Sequence, residues 1–221
     1  MTITTTLNHI RDKKPCAPGW QKLLAGLGKT RANNKPLQFA RILEINGIDD
    51  AIWCMRAEPQ HAKEWRIFAV WCVRQVEHLL TDKRALDALD VAERHAYGLA
   101  TNEELAAAWT TAWIAASDAT RGTRWGAAAA RAAALNAVRG SASEAAREAA
   151  RGATWAAARD ATWSAARADA SEAATEAAWS AARAATLVAA RGDTSDAAIN
   201  PAWHAARAAQ KVKLLEITGG K

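Results

Sequence analysis

Apolar residues in the first hundred positions recur at the spacing of amphipathic helices. In residues 19–29 and 36–45 they stand three or four positions apart, which places them on one face of a helix. Residues 62–80 are apolar around most of the helix, so this segment is predicted to be central to a core. We therefore expect Phe68 and Trp71, which lie within it, to be buried.

The pattern changes after Gly98, where alanine becomes the dominant residue. Of the 110 residues from 101 to 210, 46 are alanine. The small number of β-branched and aromatic residues argues against a sheet protein. A capping box at 101–104 and recurrent Arg-Gly pairs indicate where helices begin and end. The predicted helices lie near 102–120, 123–138, 142–151, 153–190 (with a break near 169–171) and 194–213.

These patterns predict an all-α protein in which a helical head packs on an Ala-rich antiparallel helical bundle. Residues 1–17 are predicted to form a basic flexible arm, residues 18–100 the head and residues 101–215 the bundle. Short connections between the predicted helices favour antiparallel neighbours.

The net charge of the chain is concentrated at its beginning. The first 41 residues contain eight Lys or Arg and a single Asp, whereas the whole chain has a net charge of +6. A basic segment of this kind attracts the phosphates of a nucleic acid or an acidic protein surface. It serves equally well to keep a chain soluble, and the sequence leaves these alternatives open. The residues of this predicted basic patch are Lys13, Lys14, Lys29, Arg31 and Lys35.

A five-residue unit, Trp-x-Ala-Ala-Arg, occurs four times in the second half of the chain. Trp and the Arg four residues later share a helix face, so the guanidinium can stack on the indole. In one interpretation the units only pack the helices, with Arg covering the indole. In the other they form a cleft that binds a nucleotide by stacking and by bidentate contacts. The candidate binding residues are Trp155, Arg159, Trp163, Arg167, Trp179, Arg183, Trp203 and Arg207.

The sequence shows no arrangement typical of a catalytic or metal site. The three cysteines are far apart and odd in number, which argues against a disulfide framework and favours a reducing compartment. No two histidines stand four residues apart, as in a zinc-binding helix, and no serine nucleophile motif is present. No apolar run is long enough to span a membrane. We expect a cytoplasmic protein with no catalytic residues, no metal and no cofactor, which is not an enzyme.

Four stretches of the chain resemble a family of small phage and prophage proteins: residues 19–30 (GWQKLLAGLGKT), 36–57, 66–82 and 88–109. In that family a helical head precedes a tail of variable length that is rich in Ala, Trp, Arg and Asp. Residues 90–109, DVAERHAYGLATNEELAAAW, together with the Ala-rich helices after them, are similar to an immunity-protein-like helical domain. The resemblance implies an all-helical fold and a phage accessory role in the cytoplasm of a bacterial host, and it supplies no catalytic residue.

Three hypotheses for the function follow. The first is a non-catalytic phage or prophage protein that binds and neutralises a bacterial host component, as an anti-defence or immunity-type inhibitor with a host protein as its partner. The second is a sponge that sequesters a nucleotide immune signal through the Trp-Arg units. The third is a nucleic-acid-binding protein that uses residues 11–41. No membrane partner is expected, and the sequence leaves a homo-oligomer open.

Overall fold

A computed structural model describes residues 2–80, 82–112, 114, 169–190 and 196–220. It confirms the all-α prediction, since helices dominate and the sheet within these residues is a single pair of two-residue strands. Strand β1 (Thr4–Thr5) pairs antiparallel with β2 (Leu37–Gln38). The pairing ties the start of the chain to the segment that leads into the third helix.

The helices of the first hundred residues are short. They are α1 (Leu7–Asp12), α2 (Ala17–Gly26), α3 (Phe39–Asn46), α4 (Ile48–Trp53), α5 (Ala62–Arg74) and α6 (Lys83–Ala96). Short 3-10 helices lie at Cys54–Ala57, Pro59–His61 and Glu77–Leu79. The later helices are α7 (102–112), α8 (Ala170–Ala190) and α9 (Asp196–Thr218).

Local signals in the sequence place several helix ends correctly. At the start of α7, the Thr101 hydroxyl accepts the Glu104 N–H, and the Glu104 carboxylate accepts the Thr101 N–H, which is the predicted capping box. Helix α8 begins within the predicted break at 169–171, where the Asp169 carboxylate accepts the backbone N–H groups of Ser171 and Glu172. The predicted helix before the break lies outside the described residues. The bundle predicted for residues 101–215 stays a prediction, because residues 115–168 lie outside the described part of the chain.

The first 17 residues are not the flexible arm that their charge suggested. They hold β1 and α1, and the hydroxyl of Thr6 caps α1 by accepting the His9 N–H. Ile3, Leu7 and Ile10 are buried. The spacing of these apolar residues is that of a segment with one buried side. The residues between them are polar but uncharged threonine, asparagine and histidine, and the basic residues Arg11, Lys13 and Lys14 come only after Ile10.

Trp65, not Trp71, is the aromatic centre of the core. The Trp65 ring is fully buried, its centroid lies 5.3 Å from that of Phe39, and its Nε1 donates to the carbonyl of Glu58 at 2.9 Å. Phe68 is buried as predicted. Trp71 is only partly buried, because its side of α5 borders an open cleft next to α6.

Helix α8 joins the head and the tail in one hydrophobic core. It packs against both α5 and α9, and its alanines belong to the same cluster of buried residues as Trp65 and Phe68. Because alanine side chains are short, the helix axes can approach closely. The fully buried alanines of this helix are Ala173, Ala174, Ala177, Ala178 and Ala184.

Candidate functional site

Two of the four Trp-Arg units lie within the described residues, and their tryptophans meet. The rings of Trp179 on α8 and Trp203 on α9 are 6.3 Å apart in an edge-to-face arrangement. Trp179 is 49% exposed, and the exposed Arg183 guanidinium lies 5.7 Å from its ring centroid. The other four candidate residues, Trp155, Arg159, Trp163 and Arg167, lie outside the described residues.

Arg207, in contrast, is a buried structural residue. Its guanidinium donates to Gln210 Oε1 at 2.7 Å and forms an ion pair with Asp49 on α4. It also lies 5.6 Å from the ring centroid of Trp203. Of the arginines in these two units, only Arg183 is therefore available to a ligand. The two units do not present two guanidiniums that a ligand could contact together.

The five residues of the basic patch are all exposed, and none of them makes an ion pair with a described residue. The fold brings the two halves of the patch to one part of the head. The Asn8 N–H donates to the carbonyl of Asn33, and the Asn8 side chain bonds that of Asn34. The loop that carries Lys29, Arg31 and Lys35 therefore lies beside α1, whose end carries Lys13 and Lys14.

A cavity of about 160 Å³ opens in the head next to this patch. Sequence reasoning missed it, because its walls come from four short helices that touch only in the folded state. The one signal in the sequence was that Trp20 and Trp53 both fall on short helices. Such helices are too small to bury two indole rings by themselves. The apolar wall consists of Ile10, Pro15, Trp20, Leu23, Ile42 and Trp53.

One part of the cavity wall is polar and is built where α3 turns into α4. Gly47 has φ +93°, a left-handed conformation that glycine tolerates best, and it connects the two helices directly. Asn46, at the end of α3, donates through Nδ2 to the carbonyl of Gly19 at 2.8 Å and to Asp50 Oδ2 at 2.7 Å. Asn46 Oδ1 is buried and accepts no hydrogen bond within the described structure.

The charges around the cavity have a simple arrangement. Asp50 lines the wall and forms no ion pair with a described residue. Lys13 and Lys14 directly precede the lining residue Pro15, and Lys22 Nζ lies 3.5 Å from the carbonyl of Asn46. One carboxylate therefore faces the cavity, while lysines flank it outside.

Two thiols also line the cavity, and they differ in reactivity. Cys16 is exposed at the start of α2, whereas Cys54 is buried. Burial and, to a lesser extent, the nearby Asp50 charge raise the pKa of Cys54 to about 12, so this thiol stays protonated at neutral pH. Cys16 is thus the thiol that a reagent in solution can reach.

A second cavity, of about 140 Å³, lies beside α5 and α6 and borders Trp71, Arg74 and Lys213. Arg74 donates to three carboxylates, at 2.9 Å to Glu77 and at 2.6 Å to both Asp90 and Glu93. Since these ion pairs occupy the guanidinium, we assign this cluster a structural role in holding α6 against α5.

Comparisons with protein-family models, with curated proteins and with solved structures find no match. In the described ranges, no group of three or more His, Cys, Asp or Glu residues is placed to hold a metal ion. Nor does any described helix have the length and hydropathy needed to cross a membrane. The candidate site is therefore defined by its own geometry: an apolar cavity with one carboxylate, flanked by lysines, called the head pocket below.

Proposed function

We propose that this chain is a non-catalytic binding protein that neutralises a bacterial host protein by covering an acidic surface on it. An apolar side chain of the partner enters the head pocket, and Lys13, Lys14 and Lys22 meet acidic groups around that side chain. The phage or prophage origin in this proposal comes from the sequence resemblance, and the binding mode comes from the head pocket.

The observation that carries the proposal is the position of the pocket beside lysines that form no ion pair with a described residue. Protein interfaces draw most of their binding energy from a few side chains that fill well-packed pockets. Charged groups around such a pocket set the association rate and exclude unsuitable partners. The head pocket and its flanking lysines supply both parts, whereas no catalytic arrangement is seen within the described residues.

The same feature favours a protein over a nucleic acid as the partner. Nucleic-acid affinity comes largely from phosphate contacts and needs only a basic surface. An apolar cavity of about 160 Å³ adds nothing to such contacts but suits one side chain of a protein. The third hypothesis, a nucleic-acid-binding protein, is therefore the less supported use of the basic patch.

The proposal is tested by closing the pocket. Cys16→Trp places an indole at the exposed cavity mouth, and Ala17→Trp places the same group at the next exposed position, which does not line the cavity. Bacterial lysate is passed over wild type and both variants, and retained proteins are identified. A host protein held by wild type and Ala17→Trp but lost by Cys16→Trp supports the proposal. Equal retention by all three, or retention of nucleic acid alone, contradicts it.

The nucleotide-sponge hypothesis keeps one specific observation in its favour, the half-exposed Trp179 with Arg183 over its ring. A ligand that stacks there stabilises the fold by mass action. Thermal unfolding with and without cyclic nucleotides, in wild type and Trp179→Ala, tests this second candidate. Stabilisation that disappears in Trp179→Ala favours it, and no stabilisation of wild type by any nucleotide removes it.

A further inference from the structure

We propose that the head pocket is specific for an indole ring, whose N–H donates to Asp50, so that the partner's anchoring residue is a tryptophan. That the ring belongs to a partner protein rests on the proposed function. The selectivity of the pocket itself does not depend on a partner and is measured separately.

The size and lining of the cavity suit an aromatic ring. A buried cavity of about 150 Å³ accommodates benzene, and the head pocket has about 160 Å³ and is open to solvent at Cys16. A fused bicyclic ring can therefore fill the interior and extend to the mouth. Trp20 and Trp53 form part of the wall, and aromatic rings pair favourably edge-to-face or in offset stacks.

The polar part of the wall selects for a hydrogen-bond donor. The Asn46 amide nitrogen already donates to Gly19 and to Asp50, so it has no N–H to spare for a ligand. The Asp50 carboxylate keeps acceptor capacity and has no cationic partner among the described residues. A ligand that covers this carboxylate without donating a hydrogen bond leaves it desolvated and unpaired, which weakens binding.

The lysines near the pocket disfavour cationic donors. A Lys or Arg side chain could pair with Asp50, but Lys13 and Lys14 directly precede the wall residue Pro15 and Lys22 Nζ lies beside the Asn46 carbonyl, so a positive charge is repelled there. Leucine, methionine and phenylalanine fill apolar space but donate nothing. An indole is apolar, neutral, ring-shaped and carries one N–H donor, and so meets each of these conditions.

The test compares isosteric ligands on the wild-type protein. Indole and benzofuran have nearly the same shape, but benzofuran has an oxygen in place of the N–H. Each is titrated into isotope-labelled protein, and affinities are taken from backbone NMR shifts of residues that line the pocket. We expect benzofuran to bind about tenfold more weakly than indole, as for the loss of a hydrogen bond to a charged acceptor.

Variants connect the preference to Asp50. In Asp50→Leu the two ligands should bind with equal affinity, whereas Asp87→Leu, which removes an exposed charge on α6, should keep the tenfold ratio. Indole should also slow alkylation of Cys16 in wild type, while the buried Cys54 and Cys72 stay unmodified. If Asp50→Leu does not fold, the wild-type ratio and the Cys16 protection still decide the question.

Several results overturn the inference. The first is equal affinity of the wild-type protein for indole and benzofuran. The second is tighter binding of p-cresol than of indole, which would point to a tyrosine anchor. The third is NMR shift changes in residues that lie away from the pocket. The two proposals fail separately. If indole binds selectively but no partner is lost in Cys16→Trp, the indole-specific pocket stands and the proposed function is contradicted. If a partner is lost in Cys16→Trp but indole is not preferred, the proposed function stands and the indole-specific pocket is contradicted.

Discussion

Residues of the same type in the same five-residue unit have different roles in this molecule. Arg183 follows Trp179 and lies in solvent, whereas Arg207 follows Trp203 and is 7% exposed. The difference comes from what each helix faces. Arg207 lies where α9 passes α4, so that Asp49 and the buried Gln210 are within reach. The five-residue pattern is the same in both units, and the neighbouring helix determines which arginine is structural.

Replacing Arg207 by Ala should therefore destabilise the protein, and replacing Arg183 by Ala should not. Removing Arg207 leaves the buried Gln210 Oε1 without its donor, which costs about 1–3 kcal/mol. Asp49 is largely exposed and regains water, so it adds little. A surface substitution such as Arg183→Ala stays within about 0.5 kcal/mol. Urea unfolding of both variants measures the difference, and equal midpoints would contradict the structural role of Arg207.

The carboxylate of Glu58 is the buried acidic group that fastens α1 to the rest of the head. The residue is 2% exposed, and its carboxylate accepts hydrogen bonds from His9 Nδ1 at 2.8 Å and Gln60 Nε2 at 2.6 Å. Burial raises the pKa of Glu58, but polar contacts with Thr5, His9 and Gln60 outweigh burial and leave the pKa below its usual 4.5.

The contribution of Glu58 to stability should therefore disappear in acid. A carboxylate whose pKa is lowered on folding stabilises the fold above its unfolded pKa, near 4.5, and loses that effect as the pH falls through the folded value. Glu58→Gln should cost about 1–3 kcal/mol at neutral pH. The gap between wild type and variant should narrow progressively below pH 4.5. A gap that is constant from neutral pH down to about pH 3 would contradict this assignment.

At the scale of elements, the alanine helix α8 contributes many of the buried residues of the core. Its buried residues surround most of the helix, since it packs on α5 with one side and on α9 with another. Gln210 on α9 donates to the carbonyl of Ala178 at 2.6 Å, which fixes the two helices in register. Small side chains are needed at these positions because the facing helices leave no room for larger ones.

A larger side chain on the buried side of α8 should therefore destabilise the fold. Ala177 is fully buried, so Ala177→Leu should cost about 1–3 kcal/mol through overpacking. Ala208 is exposed on α9, and Ala208→Leu makes the same change where there is room. Chemical denaturation of the two variants provides the measurement. A neutral or stabilising Ala177→Leu would mean that α8 is not packed against α5 as described.

At the scale of the whole molecule, the beginning and the end of the described chain are joined. The N–H of Ile3 donates to the carbonyl of Thr218 at 3.0 Å, and Ile3 is itself part of the core. Together with the pairing of β1 and β2, this contact connects the start of the chain to α9 and to the segment before α3. The first residues of the described chain thus hold the last helix and the segment before α3 together.

Truncating the side chain of Ile3 should therefore lower global stability. Ile3 is 5% exposed, and an Ile→Ala change in a core costs about 2–5 kcal/mol, with the lower part of that range expected near a terminus. The exposed neighbour Thr2 provides the control, since Thr2→Ala should be nearly neutral. Thermal unfolding followed by circular dichroism compares them. Identical melting temperatures would support the flexible arm that the structure contradicts.

Local features of the sequence were enough for the helical class and for many helix ends. Alanine content, the Thr101–Glu104 capping box and the helix start at Asp169 depend on residues within one or two turns of each other, so their outcome does not need the rest of the chain. The exposure of the basic patch could equally be predicted from the sequence, because lysines remain at the surface unless they are paired.

The tertiary structure alone decided which residues come together. The order of residues 1–17, the central place of Trp65 in preference to Trp71, and the burial of Arg207 each depend on contacts between distant segments. The head pocket is the clearest case, because its wall combines residues from position 10 to position 54. No pattern within a single helix encodes such a cavity, since it is the space left between helices whose packing is set by the whole core.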